Sequence, residues 1–444
     1  MGRSASVMVV AIVLAVAALA ASASSARAHG RLPESAQIVF HPTDPDTVIV
    51  RTTFGLLLTR DGGDTWRWMC PVALQLRATE DATVAIMDSG AFVIATFGGF
   101  ERSVGGCVWS YPDPALQDSI VIDLAKHPVD PASLLVVTSN GGVPNQVLRS
   151  TDDGLTFTPL GTPIDRILFE TISVAPSDPM RVYLSGIATD MTPREAYVLR
   201  STDGGESFES LPFTLETTDR SIFLLDIDPV VPDRVLLQVW STDADDRIVL
   251  SENGGSTWTE VLRMPDVVGF ARSPDGSTIW AGGLTAGLWR SMDGGRTFAQ
   301  INPTIRVGGL AAREGELWVW GLQAANGFAV GKSTDGGMTF EAVMTYGDIG
   351  GILECDATSQ VGMTCPAWWP DLQRDLGLYD GGVPTDGAMP DIDGPTGSEP
   401  APPPAPDGCS CRAGALPGRS ASGAAAIAIA ALALMALLAA SRRR

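Results

Sequence analysis

The reading of the fold turns on Ser251-Glu252-Asn253-Gly254-Gly255-Ser256-Thr257-Trp258 and its copies. The same phrase (Ser/Thr, any residue, Asp/Asn, any residue, Gly, any residue, Thr/Ser, Trp/Phe) recurs at Thr59 to Trp66, Ser150 to Phe157, Ser201 to Phe208, Ser291 to Phe298 and Ser333 to Phe340. Successive copies are 91, 51, 50, 40 and 42 residues apart, so four intervals match one four-stranded unit and the first is about twice that period. The missing copy falls at Arg102 to Trp109, where Gly106 and Trp109 are in register but Val104 stands where Asp belongs. Seven phrases imply seven units.

One unit can be laid out directly. Ser221 to Asp226, Arg234 to Val239, Arg247 to Leu250 and Thr257 to Leu262 are short apolar runs separated by turn-formers, and none approaches helix length. A second echo precedes the second strand of several units: His41-Pro42, His127-Pro128, Ala175-Pro176 and Asp228-Pro229, each within a Pro/Asp-rich turn. The expected fold is all-β: a seven-bladed β-propeller of four-stranded blades over residues 33–345, closed without a shared strand, with Gly351 to Cys355 available as an extra edge strand. In each phrase the carboxylate or amide of Asp61, Asp152, Asp203, Asn253, Asp293 or Asp335 is expected to organise the turn by accepting backbone N–H groups. The rings of Trp66, Trp109, Phe157, Phe208, Trp258, Phe298 and Phe340 are expected to seal the blade edges.

Phrase and spacing resemble the Asp-box (BNR-like) repeats of sialidases, xyloglucanase-type endoglucanases, sortilin-like receptors and photosystem assembly factors. The resemblance covers roughly residues 35–345 and speaks to fold far more than to activity, because the same propeller hosts many functions. Sialidases of that family carry a Phe/Tyr-Arg-Ile-Pro motif and a Tyr nucleophile. This chain has no such tetrapeptide, and its tyrosines are only Tyr111, Tyr183, Tyr197, Tyr346 and Tyr379.

A different glycoside hydrolase would need two carboxylates about 5–9 Å apart. Glu170, Asp226 and Asp228 lie in or beside expected inner strands and are the candidates, although nothing in their spacing pairs them. No cofactor is expected. His41 and His127 share one turn position and read as structural, and no Cys/His cluster has metal-ligand spacing, so no metal site is expected. The Asp-Gly-Gly runs are turns between strands rather than phosphate-binding loops. A formal net charge of -21 excludes general electrostatic attraction to nucleic acid.

The two ends suggest export. Arg3, an apolar run from Val7 to Ala21 and small residues to Ala28 have the order of a secretory signal peptide, residues 1–28. Residues 346–377 read as a small disulfide-containing extension and 378–408 as a disordered Pro/Gly/Asp spacer. In an exported chain the cysteines can pair. Cys70 with Cys107 would fasten the blade lacking its Asp, and Cys355 with Cys365 would close a short loop beyond the last blade. At 409–444, Cys409-Ser410-Cys411-Arg412 leads into a hydrophobic helix, Gly423 to Ala440, and ends in Arg442, Arg443 and Arg444.

That tripartite end is similar to the C-terminal sorting signal of myxobacterial surface proteins. The resemblance implies processing and attachment at Cys409, with Cys411 beside it, and contact with the export and sorting machinery. It implies membrane attachment through the C-terminus and a place on the outer membrane of a myxobacterium-like bacterium. Every recurrent residue can be assigned to turns or packing, so the expected function is non-enzymatic recognition or scaffolding at the cell surface, with a protein or glycan ligand. The alternative is a secreted glycoside hydrolase acting on a polysaccharide.

Overall fold

A computed structural model of the chain describes residues 36–378, apart from 78, 79, 189, 190 and 192. The signal peptide, the spacer beyond 378, Cys409, Cys411 and the C-terminal hydrophobic segment lie outside the described residues.

The seven apolar units form seven small antiparallel sheets, a seven-bladed β-propeller. Blade five shows the pattern: Asp219–Ile227, Val235–Ser241, Asp246–Ser251 and Thr259–Met264 pair in chain order. Second strands such as Leu134–Thr138 and Ile279–Gly283 are buried throughout, because each is covered by a neighbouring blade on both faces. Fourth strands such as Thr158–Ile164 are mostly exposed and form the outer rim. The apolar clusters run between blades; one joins Leu135, Val137 and Val147 of blade three to Ile172, Val182 and Leu184 of blade four.

Successive inner strands are stitched together by polar contacts. Gln37 of blade one accepts from Val84 N at 2.8 Å and donates to Val84 O at 3.1 Å in blade two. Asp123 of blade three accepts from Ile172 N at 2.8 Å, and Thr171 Oγ1 of blade four accepts from Leu224 N at 2.9 Å. Ala36 N donates to Gly308 O of blade seven at 2.8 Å, which closes the ring. These bonds satisfy backbone groups on the inner edge of each blade, where the innermost strand has no ladder partner.

The first and last blades each supply their own four strands, as expected. Beyond blade seven the chain crosses the outside of blade one, where Ile349–Ile352 adds a fifth, parallel strand beside Trp66–Met69. Helices Gln360–Thr364 and Trp369–Asp375 follow, burying Val361, Cys365, Leu372 and Leu376 in the cluster of blade one.

This path corrects the expected cysteine pairing. The bonds are Cys70–Cys365 and Cys107–Cys355, spanning 295 and 248 residues, not the local pairs Cys70–Cys107 and Cys355–Cys365. The reason is the added strand. Leu353 N donates to Trp68 O at 2.8 Å, which lays the extension against the outer edges of blades one and two, where Cys70 and Cys107 wait. Blade two has three strands, Thr83–Ile86, Ala91–Thr96 and Gly99–Val104, with a single bridge from Arg102 to Ser110 where a fourth would lie. The extension covers that incomplete edge: Val361 N donates to Cys107 O at 3.2 Å, and Gln360 Oε1 accepts from Trp109 N at 2.8 Å. Disulfides of this kind mark an exported protein.

Candidate functional site

The turn phrases fold alike. In blade four, Ser201 Oγ donates to Asp203 at 2.7 Å and accepts from Gly205 N at 2.9 Å, while Asp203 accepts from Ser207 N at 2.9 Å and Ser207 Oγ at 2.6 Å. Thr59, Ser150, Ser291 and Ser333 make the same bonds to Asp61, Asp152, Asp293 and Asp335. In blade five the amide of Asn253 accepts from Thr257 N and donates to its hydroxyl. The hydroxyl of Thr65 first, and backbone N–H groups with it, hold Asp61 down to about 2. Ser207 and Ser201 do the same for Asp203, also about 2. These groups face their own turns and leave no carboxylate free for chemistry. In blade two, Ser103 rather than Arg102 takes the first place of the turn: its hydroxyl accepts from Gly106 N at 3.0 Å, and Trp109 Nε1 donates to Gly106 O at 2.9 Å.

A residue absent from the sequence reading joins the turns to one another. The residue before the turn Ser is Arg in four blades, and each guanidinium donates to the fourth-place carbonyl of the next blade's turn. Arg102 reaches Asp153 O at 2.9 Å, Arg149 reaches Gly204 O at 2.8 Å, Arg200 reaches Gly254 O at 3.1 Å and Arg290 reaches Gly336 O at 3.3 Å. The signal was present as a periodic Arg-Ser pair, but it points at the neighbouring repeat rather than its own. Where Leu250 replaces that Arg, the seam carries a surface cavity of about 280 Å³ beside Leu250, Asn253 and Arg296, and a separate one of about 490 Å³ lies between blades seven and one beside Phe40, His41 and Arg313.

Of the three nominated carboxylates, Asp226 and Asp228 share one cation, Arg272, whose Nη1 lies 3.7 Å from Asp228, and Glu170 stands apart from both. Glu170 is the bulged residue of blade four's inner strand, skipped between the pairs Phe169–Gly186 and Thr171–Ser185. Its Oε1 accepts from Ser221 Oγ of blade five at 2.6 Å, and burial raises its pKa. Arg220 is likewise bulged, and Arg194 Nη1 donates to Arg220 O at 2.8 Å, so two adjacent inner strands turn charged residues outward at the same level. Asp226 lies five residues beyond Ser221 on an extended strand, about 16 Å further along. Burial first, and Asp228 secondarily, push Asp226 up to about 6 against the pull of Arg272, whose Nε donates to it at 2.7 Å. Asp228 caps its turn, accepting from Val230 N and Val231 N at 3.0 Å each and from Arg234 at 2.9 Å. Those bonds outweigh its burial and lower its pKa. A hydrolytic pair needs roughly 5–9.5 Å; Glu170 and Asp226 are too far apart, and Asp226 and Asp228 are already bound to arginines.

Among the described residues, no group of three or more His, Cys, Asp or Glu gathers to hold a metal. No helix among them is long and apolar enough to cross a membrane. His41 and His127 accept from the backbone of their own turns, at Asp44 N and Asp130 N.

The sequence matches no protein-family profile and no curated protein. Solved structures share the fold. A hydrazine synthase chain of Kuenenia stuttgartiensis aligns with a TM-score of 0.50 at 9% identity, covering 70% of this chain and 98% of that one. An ancestral GH74 enzyme aligns with a TM-score of 0.46 at 13% identity over 63% of this chain, which spans only 40% of that enzyme's length. YCF48 from Cyanidioschyzon merolae aligns with a TM-score of 0.43 at 17% identity, over 66% of this chain and 95% of that one. At these identities the likeness is one of propeller architecture alone.

Proposed function

We propose that this chain is an Asp-box propeller that recognises a protein or glycan ligand at the surface of the cell that exports it, without catalysing a reaction on it. The observation that carries this reading is that the nominated carboxylates are already engaged: Asp226 and Asp228 share Arg272, Asp228 also holds Arg234, and Glu170, apart from both, bonds Ser221. What remains is a rigid ring presenting loops of unequal length, an arrangement suited to binding. The hairpin turn from Ser241 to Asp246, Arg194 and the bulged Glu170 and Arg220 form the rim we assign to the ligand. Secretion through residues 1–28 and retention through the Cys409/Cys411 segment complete the proposal.

The test is a glycan and peptide array probed with the exported protein, followed by Glu170→Gln and Arg220→Ala variants. Binding of one ligand class, weakened at least tenfold by either change with the fold intact, is the expected result. Release of reducing sugar from a polysaccharide by the wild type and not by Glu170→Gln would establish the glycoside hydrolase instead.

A further inference from the structure

The third strand of blade two holds a carboxylate that nothing in the ring's architecture uses. Glu101 is 0% exposed, and neither of its oxygens has a hydrogen-bond partner. It lies opposite Ile94, two residues before the turn hydroxyl of Ser103, a place where the other blades put Leu57, Leu148, Leu199, Val249, Trp289 and Gly331, none of them charged. Leaving a carboxylate there without a counter-charge costs several kcal/mol. Burial is the main cause that pushes its pKa up to about 8, and Glu80 adds to it.

The groups around it are oxygen donors. Glu80, 7% exposed, comes from the connection between blades one and two; its two oxygens accept from Arg77 N at 3.1 Å and Phe97 N at 2.5 Å, which fixes its position. Tyr111 comes from the connection leaving blade two, and its ring lies on the turn before Gly99–Val104. A Cβ on Gly98 would sit 2.7 Å from its hydroxyl, and one on Gly99 would sit 2.9 Å from its ring, so only glycine admits Tyr111 there. Gln75, held in the left-handed region at φ 52°, is the fourth side chain beside Glu101; it and Tyr111 lie close enough to pull the carboxyl's pKa down against its burial, yet neither reaches hydrogen-bond geometry with its oxygens. Among the described residues, the cation beside this group is Arg77, whose guanidinium lies 5.9 Å over the ring of Phe97 and acts on Glu80.

We infer that Glu101, Glu80, Tyr111 and Gln75 form a site for a hard divalent cation of the calcium class at the interface of blades one and two. Two carboxylates supply the charge, and a phenol and an amide supply neutral oxygen, the ligand type that such ions select. A cation gives both Glu101 oxygens a partner at once, whereas a proton would satisfy one and leave the other bare. With two carboxylates, the affinity falls in the range of extracellular modules, about 10⁻⁴ to 10⁻³ M. The site also ties the connection preceding blade two to the one that follows it, in the blade that has the fewest strands.

The test is thermal unfolding of the intact exported protein, disulfides formed, at pH 7.5 in EDTA and in 5 mM calcium, with terbium luminescence as a second readout. Calcium is expected to raise the midpoint by several degrees in the wild type and in the control Glu314→Gln, and not in Glu101→Gln. Tyr111→Phe keeps the packing on Gly98 and Gly99 and removes one oxygen, so a three- to tenfold loss of terbium affinity carries the test even if Glu101→Gln folds poorly. No shift with calcium, or an equal shift in Glu101→Gln, overturns the site and leaves Glu101 a buried neutral acid.

Discussion

Blades three and four meet through parts that recur around the ring; blades one and two meet through parts used once. At the first seam Arg149 bonds Gly204 O, and the turn of blade four is complete. At the second, blade two lacks its Asp and its fourth strand, and the work passes to a far segment of chain. Cys107–Cys355 and Gln360 secure its open edge. On its other side, facing blade three, Arg102 reaches forward and pairs with Asp153 at 2.6 Å. Asp153 stands at φ 66°, where Gly62, Gly204, Gly254, Gly294 and Gly336 stand in the other turns. A non-glycine residue accepts that strained region here, and its carboxylate is what holds the neighbour. When a repeat loses its local consensus, longer-range bonds specific to that seam replace it.

The largest expected effect breaks the closure. Replacing Cys355 and Cys365 by serine removes bonds that close loops of 248 and 295 residues, and each loss should cost about 2–5 kcal/mol in urea unfolding. Hydrogen exchange should then rise first in blades one and two. Equal loosening of blades three and four would show that the seams do not differ.

Next, Arg102→Ala strips the counter-charge from Asp153, whose side chain is 15% exposed, and leaves it only the Ser89 hydroxyl, which should cost about 2–4 kcal/mol. Arg149→Ala removes a bond to a neutral carbonyl at 2.8 Å and should cost about 1 kcal/mol. Equal costs measured by chemical denaturation would remove the distinction between a seam-specific ion pair and a recurrent latch.

A third comparison sets inner carboxylates against turn carboxylates by pH. Burial raises Asp123 to about 6, above its ordinary value of 3.8. The folded protein therefore holds a proton that the unfolded chain has released, and stability falls as pH rises from about 4 to about 6 and is flat above. The turn groups Asp61 and Asp203 act in the opposite sense: their lowered values, about 2, stabilise the fold above pH 4, and this is lost as pH falls toward 2. Melting midpoints across pH 2–7 should thus peak near 4, and Asp123→Asn should make the upper limb shallower, Asp226 supplying part of what remains, and leave the lower limb unchanged. An unchanged upper limb in that variant would reassign it.

The smallest effect concerns the rim. Glu170→Gln keeps an acceptor for Ser221 Oγ, now 2.6 Å away, and should change stability by less than about 0.5 kcal/mol. A larger loss would make Glu170 part of the fold rather than of the binding face.

The fold class was legible because each turn phrase is a local device. A hydroxyl, a carboxylate and glycines within eight residues build one turn wherever they occur, so counting phrases counts blades, and the apolar runs between them are too short for anything but strands. The seventh copy could be found with Val104 in the wrong place because Gly106 and Trp109 remained, although its hydroxyl came from Ser103. Tertiary structure decided what joins one unit to another. The disulfide partners lie 295 and 248 residues apart, and nearness in sequence favoured the wrong pairs, since only the strand laid along Trp66–Met69 brings Cys355 and Cys365 to blades two and one. Glu101 reads in sequence as one charged residue in a strand. Its isolation is a property of burial between blades, which the packing of the ring alone creates.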